Sequence, residues 1–107
     1  MFLKLSDRPE KEPVPGYKVR FVHGEHMTLA YWRIEAGAVL SPHSHPHEQV
    51  SSVIEGKLEL TIEGETRILG PDSVGVIAPN ARHAARAITD CRVIDAFYPV
   101  REDYRDS

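Results

Sequence analysis

The chain has 107 residues, a formal net charge of −3 at pH 7, and acidic and basic side chains mixed along its whole length. The length suits one compact domain, and because the chain has neither a basic block nor a long apolar run, we expect no nucleic-acid partner, no membrane span and no signal peptide. Cys91 is the single cysteine and has no partner for an internal disulfide, so we expect a cytoplasmic protein.

The first part of the chain is rich in proline. Residues 9–16, PEKEPVPG, contain three prolines and a glycine, which disfavour helix and regular strand alike. We therefore expect an extended N-terminal arm over residues 1–16, followed by a single β-barrel domain over residues 17–107.

Seven short apolar or alternating runs follow, separated by turn signals. They are YKVRFV, MTLAYWRI, QVSSVI, KLELTIEG, ETRIL, SVGVIA and CRVIDAFYPV. The run KLELTIE alternates apolar and polar residues with the period of a half-buried strand, and Glu63-Gly64 suits a tight hairpin turn after it. No long window keeps a helical period. The pattern predicts an all-β domain, an antiparallel sandwich or barrel.

The segment SPHSHPHEQV, residues 41–50, concentrates histidine in a way that points to metal binding. His43 and His45 are one residue apart, so on an extended backbone both imidazoles project from the same face. Pro42 and Pro46 stiffen the segment around them. Two imidazoles make half of a site for a first-row divalent ion, which takes four to six donors.

The remaining donors have several candidates. A third donor could come from His47, Glu48 or Gln49, and spacing alone leaves this choice open. His83, which follows a turn in APNARHAA, is the candidate from another strand. The two histidines of HGEH lie in a predicted solvated loop and are weaker candidates.

The last strand, CRVIDAFYPVR, carries a second group of candidates. Asp95 falls between Val93 and Phe97 on one face, so it is either a general acid or base in the interior or a structural carboxylate at a strand end. By itself Phe97 suits the core, and Arg101 suits a solvated tail, although its guanidinium has the fork geometry that binds a carboxylate. The opposite face of this strand is also apolar, which favours a homodimer formed through a sheet surface.

The stretch GAVLSPHSHPHEQVSSVIEG resembles the first cupin motif, Gly-x5-His-x-His-x3or4-Glu-x6-Gly. Gly37 and Gly56 bound it, and His43 and His45 fill the histidine positions. Counting from either end places Gln49 where most cupins have glutamate.

The second motif, Gly-x5-Pro-x-Gly-x2-His-x3-Asn, fits DSVGVIAPNARHAARA in part. His83 is in place. The glycine, proline, glycine and asparagine positions hold Asp72, Ala78, Asn80 and Ala87. The resemblance, over about residues 20–100, implies a small single-domain cupin with a jelly-roll-like antiparallel barrel, also called a double-stranded β-helix. It further implies one divalent transition metal ion (Ni, Zn, Mn, Fe or Co) with four ligands, which are His43, His45, Gln49 and His83.

The segments HGEHMTLAYWRIEAGAVLSPHSHPHEQ and DCRVIDAFYPVREDYR resemble the KdgF group of small cupins. This group converts 4,5-unsaturated uronate monosaccharides from pectin or alginate into linear 5-keto-4-deoxyuronates. Its Asp-x-Phe-x-x-x-Arg set of catalytic residues corresponds here to Asp95, Phe97 and Arg101. The resemblance implies that Asp95 shuttles protons, Phe97 walls one side of the sugar and Arg101 grips the uronate carboxylate. A neutral Gln49 would leave the charge of the ion available to an anionic substrate.

Two other functions fit the same fold, because one fold hosts many chemistries. The first is another cupin enzyme, a dioxygenase or a sugar isomerase with the same four ligands. The second is a non-catalytic module that binds a sugar or a metal. Only the last strand separates these alternatives from the uronate enzyme.

Overall fold

A computed structural model of the chain describes residues 1–105, over which the predicted all-β class is confirmed. The strands are β1 (Lys11–Val14), β2 (Tyr17–His23), β3 (Thr28–Ile34), β4 (Val39–His43), β5 (Glu48–Glu55), β6 (Leu58–Ile62), β7 (Glu65–Leu69), β8 (Val74–Ile77), β9 (His83–Ala87) and β10 (Cys91–Tyr98). Two short helical segments are a 3-10 turn at Leu5–Asp7 and α1 at Glu102–Arg105. Within residues 1–105 no helix is long and apolar enough to cross a membrane. The end of the predicted domain, residues 106–107, lies outside the described range.

The strands form two antiparallel sheets packed against each other. The six-stranded sheet has the order β1-β2-β3-β10-β5-β8, and the four-stranded sheet has the order β4-β9-β6-β7. Tyr17 and Val53 from the first sheet pack with Leu58 and Ala87 from the second in one core cluster. This arrangement of two packed antiparallel sheets agrees with the predicted jelly-roll-like barrel.

The central strand β10 alternates as the sequence predicts. Cys91, Val93, Asp95 and Phe97 are buried, whereas the residues between them are partly or fully exposed. The two apolar residues at its start lie in the core cluster, and Phe97 belongs to a second buried cluster with Phe21. Asp95 lies between these clusters and is the only carboxylate buried in the described part of the chain.

The predicted hairpin between β6 and β7 is confirmed. Its two-residue loop consists of Glu63 and Gly64, with φ angles of 47° and 80°. Two left-handed residues in sequence give the turn whose twist matches that of the flanking strands.

Three strands were absent from the prediction. The expectation that PEKEPVPG forms no regular strand is wrong, because Lys11–Val14 pairs with β2. This pairing is possible because β1 lies at the edge of its sheet, where Pro13 needs no partner for a backbone N–H. The strands β4 and β9 lack a clear apolar alternation in the sequence, yet they pair with each other and bring His43 opposite His83.

Candidate metal centre

Three histidines from two separate segments of the chain converge at one end of the barrel. His43 ends β4 and His83 begins β9, and the two residues face each other across the strand pair. The ring centroids are 4.2 Å apart for His43 and His83, and 4.9 Å apart for His45 and His83. One nitrogen of each ring lies within 4.8 Å of the other two. His45 lies two residues beyond the end of β4, just before a bend at Pro46 and His47.

Gln49 is the fourth group at this cluster. On β5 it pairs with Phe97 and is 7% exposed, and its Oε1 lies 3.0 Å from His45 Nε2. Glu48 is exposed, and the ring of His47 lies beside that of His45 at 5.4 Å. Of the three candidates that spacing left open, Gln49 therefore has the donor atom best placed to join the histidines.

Hydrogen bonds to backbone carbonyls set the tautomers of two of the histidines. His83 Nδ1 lies 2.9 Å from the Ala81 carbonyl oxygen, and His43 Nδ1 lies 3.1 Å from that of Ser41. Since a carbonyl only accepts, each Nδ1 carries the proton and each Nε2 presents a lone pair. Within the described residues, the buried Nε2 of His83 has no hydrogen-bond partner. A buried lone pair without a donor, oriented by a backbone carbonyl, fits a metal ligand.

Burial also favours the neutral imidazoles that bind metal. Desolvation, together with the positive charge of Arg101, lowers the pKa of His45 to about 4. Desolvation is also the main cause that lowers the pKa of His83. Three imidazole nitrogens and one amide oxygen form a donor set that first-row divalent ions accept.

Asp95 lies in the interior next to the fourth candidate ligand. It is 8% exposed and pairs with Ser51 across β5. Burial raises the pKa of Asp95 to about 6, although hydrogen bonding from Ser51, Trp32 and Gln49 acts in the opposite direction. The Oδ1 atom of Asp95 is buried without a hydrogen-bond partner among the described residues. Such a carboxyl is able to give and take a proton near neutral pH.

One small cavity connects the carboxyl with the metal-binding groups. Its volume is about 40 Å³, and its polar wall includes His83, Gln49, Ser51 and Asp95. The Nε2 atom of Gln49 donates a hydrogen bond to Ser51 Oγ at 3.0 Å. A candidate acid and two candidate ligands therefore line the same space.

Phe97 and Arg101 complete this end of the barrel. Phe97 is 3% exposed, and its ring lies 5.7 Å from that of His45. The alternative of a solvated tail is wrong for Arg101, which is 7% exposed and places its guanidinium 4.8 Å from the centre of the Phe97 ring. Desolvation, together with the positive charge of Arg101, lowers the pKa of His45 and of His47.

Several residues of this region were not singled out in the sequence. Ser51 follows Gln49 by two positions on the same strand, so period two was a usable signal for it. Asp103 pairs with Arg101, and nothing in the sequence indicated this contact. The two histidines of HGEH lie outside the cluster: His23 bonds to Thr28 Oγ1 at 2.9 Å, and His26 is exposed beside Glu25.

Comparison with known proteins now decides the family. The sequence model of the cupin domain family matches residues 30–97, which is more than half of the chain. The chain belongs to the cupin family. It is 37% identical over 102 residues to the pectin degradation protein KdgF of Dickeya dadantii, covering 92% of this chain and 93% of that protein.

Solved structures give the same result for this cupin. KdgF from Halomonas sp. matches with a TM-score of 0.89 and 31% identity over 96% of each chain. An RmlC-like cupin from Shewanella frigidimarina matches with a TM-score of 0.90 and 26% identity, over 96% of this chain and 94% of that one. The predicted resemblance to the KdgF group is confirmed.

Proposed function

We propose that this cupin converts 4,5-unsaturated uronate monosaccharides, released from pectin or alginate, into linear 5-keto-4-deoxyuronates. Its similarity to a KdgF that is named as a pectin degradation protein supports a role in pectin breakdown. The observation that carries the proposal is that Asp95, a buried carboxyl, shares one cavity with His83 of the histidine cluster.

The metal would be a divalent transition ion bound by one amide oxygen and three imidazoles. The ligands would be His43, His45, Gln49 and His83, a set that suits Ni, Zn, Mn, Fe or Co. When bound, such an ion supplies Lewis-acid stabilisation of negative charge on the substrate. Because all four donors are neutral, the site would keep a positive charge that favours an anionic sugar.

Binding of the sugar would depend on Arg101 and Phe97. The guanidinium of Arg101 has N–H groups in the planar arrangement that holds a carboxylate through two hydrogen bonds. Phe97, which packs beneath this guanidinium, would wall one side of the sugar ring. Holding the carboxylate fixes the position of the adjacent double bond relative to Asp95.

Asp95 would carry the protons of the reaction. With a pKa of about 6, part of the Asp95 population is protonated near neutral pH and is able to donate a proton to C4. A water adds to C5 and gives one proton to the Asp95 carboxylate. The resulting hemiketal opens when the bond between C5 and the ring oxygen breaks and the proton of the C5 hydroxyl moves to the ring oxygen. This leaves a ketone at C5 and a hydrate at C1, which releases one water as it becomes an aldehyde, so substrate and product are isomers.

The test follows the ultraviolet absorbance of the unsaturated bond. Purified, metal-loaded protein should accelerate the decay of this absorbance for an unsaturated uronate monosaccharide. Asp95→Asn should slow the catalysed decay by about a hundredfold or more, because it removes the proton donor. Asp72→Asn is the matched control, since Asp72 is exposed and its change in charge is the same. If the absorbance decays no faster with wild-type protein than without it, the protein does not catalyse this reaction.

The same assay separates the two alternatives. A non-catalytic module would bind the uronate and leave its absorbance unchanged. A cupin dioxygenase would require Fe(II) and oxygen, whereas the proposed isomerisation proceeds without oxygen. Activity that is retained under anaerobic conditions with a redox-inactive ion therefore favours the uronate reaction.

We further propose that two copies associate through the outward face of the six-stranded sheet. On this face the apolar side chains of β10, β5 and β8 lie side by side. They include Val50, Ile54, Val74, Val76, Ile94, Ala96 and Tyr98. Four of them are between 48% and 64% exposed, and a contiguous exposed apolar patch of this kind favours an interaction surface. The expected cytoplasmic location stays a prediction.

A further inference from the structure

We infer that Asp103 and Tyr104, here called the α1 clamp, fix the Arg101 guanidinium so that one of its two carboxylate-binding edges is presented to the substrate. This inference rests on the proposed function, in which Arg101 binds the uronate carboxylate. It assigns a positioning role to two residues of a four-residue helix that contact Arg101.

The first contact of the α1 clamp is a two-point ion pair. Arg101 Nε donates to Asp103 Oδ1 at 3.0 Å, and Arg101 Nη2 donates to Asp103 Oδ2 at 2.7 Å. This pairing uses the side edge of the guanidinium, with two of its five N–H groups. The other three N–H groups belong to Nη1 and Nη2, and one from each nitrogen forms the end edge, which also matches a carboxylate.

The second contact is stacking. The Arg101 Cζ atom lies 4.3 Å from the centre of the Tyr104 ring and 4.8 Å from the centre of the Phe97 ring. Tyr104 is itself stacked on Phe21 of β2, with ring centroids 4.4 Å apart and an angle of 18° between the planes. Two aromatic rings together with the ion pair leave the guanidinium plane little freedom to rotate.

The backbone of Arg101 is also fixed. Its amide N donates to Thr28 Oγ1 at 2.9 Å, and Thr28 is completely buried on β3. The side chain therefore starts from a defined position at the end of β10. An arginine held in this way loses less conformational entropy when a substrate binds.

The exposures of the two partners show which side of the ion pair faces solvent. The Asp103 side chain is 54% exposed, whereas the Arg101 side chain is 8% exposed. Asp103 thus faces solvent and the guanidinium faces the interior, where it lies over Phe97, whose ring centroid is 5.7 Å from that of His45. A carboxylate at the candidate metal centre would meet the end edge of Arg101, because Asp103 occupies the side edge.

The experiment compares Asp103→Asn with Glu102→Gln. Both variants remove one negative charge from α1, but the Glu102 carboxylate pairs with Arg105 and does not contact Arg101. For the unsaturated uronate, Asp103→Asn should raise KM about tenfold and change kcat by less than about threefold, because carboxylate alignment is lost while Asp95 is intact. Glu102→Gln should leave both constants near wild type. Tyr104→Leu should raise KM in the same direction, and thermal melts verify that each variant is folded.

A binding measurement separates this inference from the proposed function. In NMR titrations the wild-type protein should prefer glucuronate to glucose, and Asp103→Asn should reduce this preference about tenfold. If this preference depends on Asp103 but no turnover occurs, the α1 clamp stands and the proposed reaction fails. If turnover occurs and Asp103→Asn leaves KM unchanged, the α1 clamp is overturned. A lower KM in Asp103→Asn would also overturn it, since Asp103 would then compete with the substrate for Arg101.

Discussion

At the scale of single residues, Gln49 joins the candidate metal centre to the candidate acid. Its Nε2 donates to Ser51 Oγ, which leaves Oε1 facing His45. Ser51 in turn is the cross-strand neighbour of Asp95. The resemblance to the first cupin motif was enough to select Gln49, because the motif fixes its position between His45 and Gly56. The link through Ser51 to Asp95 required the register between β5 and β10, which spacing does not contain.

The raised pKa of Asp95 predicts a specific pH dependence of stability in the metal-free protein. The carboxyl has an ordinary pKa of 3.8 and a native pKa of about 6, so the native state binds the proton more tightly than the unfolded state. Its contribution to stability is full below about pH 4 and is lost as the pH rises through about 6. Relative to Asp95→Asn, the wild type should lose about 2 kcal/mol of unfolding free energy between about pH 4 and about pH 8.

Urea unfolding of both metal-free proteins across this pH range measures the effect. The histidine contributions, which change in the opposite direction because burial lowers the pKa of His45 and His83, are shared by both proteins and cancel in the difference. Parallel stability profiles for the two proteins would show that Asp95 ionises normally in the native state.

At the scale of elements, two turns of the second cupin motif have a left-handed backbone without the expected glycines. Asp72 and Asn80 occupy glycine positions of the second cupin motif and have φ angles of 77° and 66°. Asn and Asp adopt this region more readily than other non-glycine residues, which explains how they can take the place of glycine in these turns. The backbone N–H of Asn80 donates a hydrogen bond to the His45 carbonyl oxygen at 2.8 Å. This bond connects the loop of His45 with the turn that precedes His83.

The closing glycine of the first motif is required for a steric reason as well as for its backbone angle. Gly56 has a φ of 86°, and a Cβ at this position would lie 2.1 Å from the Asp90 carbonyl oxygen. Gly64 has a similar φ of 80°, but a Cβ there would meet nothing within 4 Å. The two glycines therefore form a matched pair for mutation.

We expect Gly64→Ala to cost about 1 kcal/mol of unfolding free energy, the usual cost of a left-handed alanine. Gly56→Ala should cost about 3 kcal/mol or more, because the strands on either side of the contact must also separate. Urea unfolding of the two variants measures the difference. Equal losses would mean that the approach between Gly56 and Asp90 relaxes without cost.

The elements that sequence predicted are those with a clear alternation. β6 and β10 bury every second residue, and this period is visible in the sequence. The strands β1, β4 and β9 were not predicted, since proline, serine and alanine at their positions give no period. They exist because neighbouring strands satisfy their backbone hydrogen bonds.

At the scale of the whole molecule, the outward face of the six-stranded sheet predicts a dimer. Val76 on this face is 64% exposed, and Ile68 on the outward face of the other sheet is 61% exposed. Val76→Asp should convert a dimer into a monomer, because it places a charge in the proposed contact, whereas Ile68→Asp should leave the dimer intact. Light scattering coupled to size-exclusion chromatography measures both masses. A monomeric wild-type protein, or a dimer that Ile68→Asp disrupts and Val76→Asp does not, would contradict the proposed interface.

The sequence by itself determined the all-β class and the inward face of β10, and its resemblance to the cupin motifs indicated the candidate ligands. The first two features are local, because alternation along a strand follows from the geometry of an extended backbone. Only the tertiary structure decided that His43 faces His83 across forty residues of chain, that Asp95 and His83 share a cavity, and that Asp103 holds a buried Arg101. Each of these contacts joins elements whose relative positions depend on strand pairing and packing, which no local pattern specifies.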